Sequence, residues 1–188
     1  MKGANTLKKT VVPEKISRGE LPTYSRTFEL TIAALFIALT YVATAFVNIR
    51  IPFIAANGGL IHLGNIPLFV AAALYGRRTG ALAGAFGMGI FDLACGWVAW
   101  APFTFVICGL IGYVFGCVTY EKKGKLSCTI GVVLAGIIKI AGYYLAEGII
   151  YGNWVAPLAS VPGNVVQILV AGIIAVPLIL CLKKVMRF

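Results

Sequence analysis

The chain has 188 residues, 60% of them apolar and only 12% charged, with a formal net charge of +10. Soluble domains carry about 25% charged residues, so this composition excludes an ordinary soluble domain. The basic excess by itself would suit nucleic acid, but the lysines and arginines fall in short clusters between long apolar runs, the pattern of a membrane protein.

The first 27 residues are polar, and they are expected to form a cytoplasmic N-terminal segment. With the long apolar run behind them they do not make the usual cleavable signal peptide. That run, FELTIAALFIALTYVATAFVNI from Phe28 to Ile49, crosses roughly 30 Å of hydrocarbon as a helix. A loop, RIPFIAANGGLIH, follows. LGNIPLFVAAALYG is a shorter second span, expected to be tilted or re-entrant and kinked at Pro67. GALAGAFGMGIFDLACG is the third span and is also short. APFTFVICGLIGYVFGCVTY, CTIGVVLAGIIKIAGYYLAEGIIYG and GNVVQILVAGIIAVPLILCL are the fourth to sixth. The expected fold is an all-α integral membrane protein of six transmembrane helices, with residues 28–184 as the membrane domain and 185–188 as a cytoplasmic tail.

The charges orient it. Basic residues precede the first span (Lys2, Lys8, Lys9, Lys15, Arg18, Arg26), fill the turn between spans two and three (Arg77, Arg78), lie between four and five (Lys122, Lys123, Lys125) and follow the sixth (Lys183, Lys184, Arg187). Only Arg50 lies at an opposite end, and Lys139 is inside a span. The positive-inside rule then puts both termini in the cytoplasm.

Small residues recur at helix-contact spacing: Ala34 and Ala38 in the first span, Gly80 and Gly84 in the third, Gly112 and Gly116 in the fourth. Whether each serves a contact within the chain or with a partner is open at this level. The cysteines (Cys95, Cys108, Cys117, Cys128, Cys181) form no CxxC pair and read as small hydrophobes. His62 is the sole histidine, so no metal site or cofactor is expected.

One set of polar residues requires an account. Asp92 lies near the outer end of span three, and Trp97 and Trp100 lie in the loop beyond it. Lys139, Tyr143 and Glu147 are spaced by four on span five and share a helix face. Asn153 and Trp154 sit in the last outer loop, while Asn164 and Gln167 open span six. Two readings stand. The tryptophans are belt residues, Lys139 pairs with Asp92 or Glu147 only to join helices, and Asn164 caps span six. Alternatively, ionisable groups within a bilayer mark a site, and Asp92, Trp97, Trp100, Lys139, Tyr143, Glu147, Asn164 and Gln167 line an outward-facing pocket for a flat ring. No hydrolase, zinc or phosphate-loop motif is present, so the chain is not expected to be an enzyme. A stand-alone secondary transporter is the alternative class, and a membrane enzyme or assembly protein the third.

The stretch GGLIHLGNIPLFVAAALYGRRTGALAGAFGMGIFDLACG, followed by WAPFTFVICGLIGYVFG, resembles the substrate-binding S components of energy-coupling factor (ECF) vitamin transporters. It is most similar to the branch for riboflavin, pyridoxine and hydroxymethylpyrimidine. The resemblance spans roughly Phe28 to Lys184. It implies a subunit of the bacterial cell membrane that binds a vitamin or precursor from outside, with help from the loop between helices one and two. It further implies docking, through Ala34 and Ala38, on a transmembrane coupling protein (T component) that works with two cytoplasmic ATP-binding subunits. Pyridoxine or hydroxymethylpyrimidine is slightly favoured over riboflavin, because Cys108 and Asn65 stand where many relatives carry lysine and aspartate.

Overall fold

A computed structural model describes residues 25–50, 60–122 and 124–186. The first loop's tip with Asn57, most of the N-terminal basic cluster, Lys123 and Arg187 lie outside the described residues. Within them the chain forms six α-helices: α1 (Arg26–Phe46), α2 (Asn65–Tyr75), α3 (Arg77–Ala94), α4 (Ala101–Thr119), α5 (Lys125–Tyr151) and α6 (Val161–Val185), with a 3-10 turn at Ala156–Ser160 before α6. It is a multi-span helical bundle. Four segments are long and apolar enough to cross a bilayer: α1, α4, α5 and the stretch Ala156–Val185 that ends in α6.

The other two helices depart from simple spans for visible reasons. α2 has 11 residues, so it rises about 16 Å, half of a hydrocarbon core. It is buried nearly all round, from Leu68 to Leu74, so protein rather than lipid meets its ends. Pro67 is its third residue, where no intrahelical N–H bond exists to be lost, and the expected kink has no cause there. α3 includes Arg77 and Arg78, which belong to its first turn rather than to an interhelical turn. Gly76 alone makes that turn, with φ 90°.

A second departure is strand structure. The expected first span stops at Phe46. Asn48–Arg50 (β1) then pairs antiparallel with Leu60–His62 (β2), in the register Asn48 to His62 and Arg50 to Leu60. The side chain of Asn48 ends α1 by donating to the carbonyls of Thr44 at 3.0 Å and Ala45 at 2.6 Å. Those carbonyls have no helical partner, so an amide three or four residues on satisfies them.

The most extensive packing joins α3 to α4. A Cβ on Gly80 would fall 2.8 Å from the Gly112 carbonyl oxygen, and one on Gly112 would fall 2.1 Å from that of Gly80. Gly84 faces the Cys108 carbonyl and Gly116 faces the Arg77 backbone in the same way. The two GxxxG motifs therefore serve a contact within the chain. Ala34 and Ala38 do not: both are exposed on α1. At the α3-start end of the bundle, Lys183 is buried inside α6 rather than following it. Its ammonium donates to the carbonyls of Thr119, of Tyr120 at 3.2 Å and of Lys122 at 2.8 Å, closing the C-terminus of α4.

Candidate functional site

At the other end of the bundle, the end of α3 turns sharply. Gly96 has φ 88°, which a side chain would strain. The Trp97 amide then donates back to the Asp92 carbonyl at 2.8 Å, the six-to-one bond of a helix C-cap. This cap brings Trp97 beside Asp92. Trp100 follows one short turn later, its ring edge-on to Trp97 at 5.4 Å and to Tyr151 at 6.0 Å.

These residues open onto a cavity of about 70 Å³ lined by His62, Asp92, Trp97, Trp100, Lys139, Tyr143, Asn164 and Gln167. Seven of the sequence-predicted residues thus meet on one cavity, drawn from α3, its following loop, α5 and α6. Lys139 and Tyr143 keep the four-residue relation. The Lys139 ammonium lies 4.9 Å from the centre of the Tyr143 ring, a cation–π contact. Asp92 lines the same cavity as this ammonium. Asn164 is the fourth residue of α6, which begins at Val161, so it is not the cap of that helix. It and Gln167 are 8% and 5% exposed.

One predicted residue sits elsewhere. Glu147 is buried, but it accepts from Ser160 Oγ at 2.6 Å and ties α5 to the turn before α6 instead of lining the cavity. Trp154 packs on Gly148, and its carbonyl accepts from the Tyr144 hydroxyl at 2.8 Å. It is 53% exposed, as a belt residue is.

Three residues were missed. Thr104 Oγ1 and Cys108 Sγ lie 3.0 Å and 3.6 Å from the Tyr143 hydroxyl, so α4 sets where that hydroxyl points. Nothing in the local sequence of Cys108 connects it to Tyr143, 35 residues away. The sequence marks His62 only as a lone candidate metal ligand. Its place at the end of a Gly-Gly loop was the available signal. The Gly64 amide donates to His62 Nδ1 at 3.3 Å, which leaves Nε2 as the protonated, donating nitrogen of the neutral ring. Burial, and then the charge of Lys139, push the His62 pKa down to about 3, so it is neutral at ordinary pH.

The cavity therefore offers an acceptor carboxylate, an ammonium, two amides, an imidazole and two indoles. Trp100 Nε1 is buried without a hydrogen-bond partner among the described residues. Such a set can stack a flat ring and bond its edge. Among the described residues no cluster of three or more His, Cys, Asp or Glu side chains is placed to hold a metal.

Residues 25–184 match the family model described as "ECF-type riboflavin transporter, S component". The chain is similar to the "Thiamine precursor transporter HmpT" of Lactococcus lactis subsp. cremoris (strain MG1363), at 29% identity over 147 residues, which cover 78% of this chain and 82% of the relative. It is also similar, at 34% identity over 133 residues, to an "Uncharacterized protein in gap 3'region" of Pyrococcus woesei, covering 71% of this chain and 86% of the relative.

Proposed function

The chain belongs to the ECF-type riboflavin transporter S-component family, and from that premise we propose that its cavity captures a small flat vitamin precursor, with a single pyrimidine or pyridine ring, from outside the cell. Family membership makes it a multi-pass membrane subunit of vitamin uptake and not an enzyme. ECF systems generically use a T component and ATP-binding subunits, and this chain's share of the work is recognition.

The observation that carries the reading is the meeting of Asp92, Lys139, Trp97, Trp100, Asn164 and Gln167 on one cavity. Asp92 and the two amides bond ring nitrogens and hydroxyls, and the indoles stack. Size favours a single ring. The cavity of about 70 Å³ is well under the 300–1,000 Å³ usual for ligand sites, so a single ring requires less opening of it than a three-ring flavin does. The printed name of the Lactococcus relative, a thiamine precursor transporter, supports the same choice.

In this reading all six helices lie in the membrane with both termini cytoplasmic, and the cavity opens outward. The exposed Ala34 and Ala38 present a smooth strip of α1 to the T component. An impermeant reagent applied outside should label a single cysteine at position 153 and not one at 124. Bulky substitutions at Ala34 and Ala38 should stop ATP-driven uptake and spare ligand binding by the solitary subunit.

The deciding experiment is to purify the chain without partners, identify the co-purified small molecule by mass spectrometry, and titrate hydroxymethylpyrimidine, pyridoxine and riboflavin. A single-ring ligand binding most tightly is the expected result. Tighter binding of riboflavin, or uptake into liposomes by the chain alone, would overturn the reading.

A further inference from the structure

A second, larger cavity of about 580 Å³ lies at the opposite end of the bundle from the candidate site, where α1 begins, α2 gives way to α3 and α4 ends. Its volume falls within the range of true ligand sites. Its lining carries charges of both signs beside apolar residues. Arg26, Arg77 and Arg78 are its cations. Its anions, Glu29 and Glu121, lie near Tyr120, whose pKa is raised by burial and then by Glu121 and Glu29. Leu30, 60% exposed, and Leu82, 36% exposed, continue the wall as bare apolar surface.

The charges in this cavity are not matched to one another. Among the described residues none of the three arginines is ion-paired with either carboxylate. Arg77 instead lies 5.5 Å above the Tyr113 ring. Arg77 and Arg78 also occupy the first turn of α3, which has no acidic residue, although a helix start favours negative charge. Cations and anions that are not ion-paired with one another, beside an apolar wall, suit a ligand carrying both charges and a hydrocarbon tail.

We propose that this cavity seats the head group of an aminophospholipid, with its phosphate on Arg26 and Arg78, its primary ammonium on Glu29 and Glu121, and an acyl chain along Leu30 and Leu82. α1 and α4 are long and apolar enough to cross a bilayer, so their ends that form the cavity are expected where head groups meet hydrocarbon, and arginines at that level attract lipid phosphate. A purely anionic head group would leave the two carboxylates facing negative charge. A choline head group has no N–H to donate to them. The inference needs only that the chain spans a membrane, so it stands or falls apart from the vitamin reading.

The test uses the whole chain in mild detergent, with phosphatidylethanolamine, phosphatidylglycerol and phosphatidylcholine of identical acyl chains. Retained lipid is measured by native mass spectrometry. Phosphatidylethanolamine should be retained about fivefold over the other two. Arg26→Gln and Arg78→Gln should each lower its retention about fivefold, the effect of about one interfacial charge. Glu29→Gln with Glu121→Gln should erase the preference over phosphatidylglycerol. Lys184→Gln, an exposed cation of α6 outside the cavity, should change nothing. Melting curves without added lipid show whether each variant folds, and Arg78→Lys supplies a milder change at the same place. Preference for phosphatidylglycerol, equal retention of all three lipids, or unchanged retention in the arginine variants would overturn the proposal. So would competition by free phosphoethanolamine at the lipid's own concentration, which would make the site one for a soluble phosphate. Loss of coupling-protein assembly in arginine variants that still retain the lipid would assign the cavity to protein docking and overturn it as well.

Discussion

Lys139 and Lys183 are two lysines in membrane helices, 1% and 4% exposed, in surroundings that could hardly differ more. Lys183 gives its ammonium to three carbonyls at the end of α4. Those carbonyls have no partner within their own helix, and a cation suits the negative end of the dipole. Lys139 meets the face of Tyr143 and a small cavity, with no hydrogen-bond acceptor for it among the described residues. Burial marks both, and partner accounting separates them. A satisfied buried charge holds the fold together. An unsatisfied one costs stability and persists where it has something to bind.

The largest expected effect tests the second half of that contrast. Lys139→Met should weaken ligand binding about a hundredfold or more, as losing a buried charged partner does. The ligand-free protein should melt at the same temperature or higher, because a buried ammonium with no hydrogen-bond acceptor among the described residues is gone. Calorimetric titration and a melting curve on one sample read both. A clear drop in melting temperature would show Lys139 to be structural.

Next is the converse. Lys183→Met should lower stability by about 2–3 kcal/mol, since it strands buried carbonyls, and leave ligand affinity within about twofold. Denaturant unfolding in detergent measures the first quantity. An unchanged midpoint would break the comparison at its structural end.

The smallest effect concerns His62, the cavity's neutral donor. Its pKa is held at about 3 against an ordinary 6.5, so the unfolded chain takes up a proton first as the pH falls. Stability is therefore full above about pH 6.5 and declines toward pH 3, by about 1 kcal/mol at pH 6. His62→Gln should flatten that slope in melts between pH 8 and pH 5. A slope that survives the substitution would assign the titration to another group.

Much of this architecture is legible in the chain itself. Long apolar runs punctuated by basic clusters define the helices. The spacing of Gly80, Gly84, Gly112 and Gly116 marks where two backbones meet, because glycine is the residue that permits such approach. The four-residue interval of Lys139 and Tyr143 puts both on one helix face, and an intramembrane charge with no local partner signals a site. Those features are properties of short windows, where helical geometry alone fixes what lies next to what.

Other features became visible only when distant segments met. Glu147 has the right spacing to join the cavity, yet Ser160, brought close by the turn before α6, holds it aside. Lys183 looks like the start of a solvated tail until α4 ends against it. Nothing near Asn48 or His62 announces a strand pair, because those three-residue strands are stabilised by each other across the loop. Cys108 and Thr104 reach Tyr143 only through the packing of α4 on α5. The sequence by itself determined the membrane class, the helices and most of the polar groups on the cavity, because periodicity and the cost of charge in hydrocarbon act locally. Tertiary structure decided which of those groups face one another, since the partner of a buried polar atom is chosen by the fold and not by its neighbours in the chain.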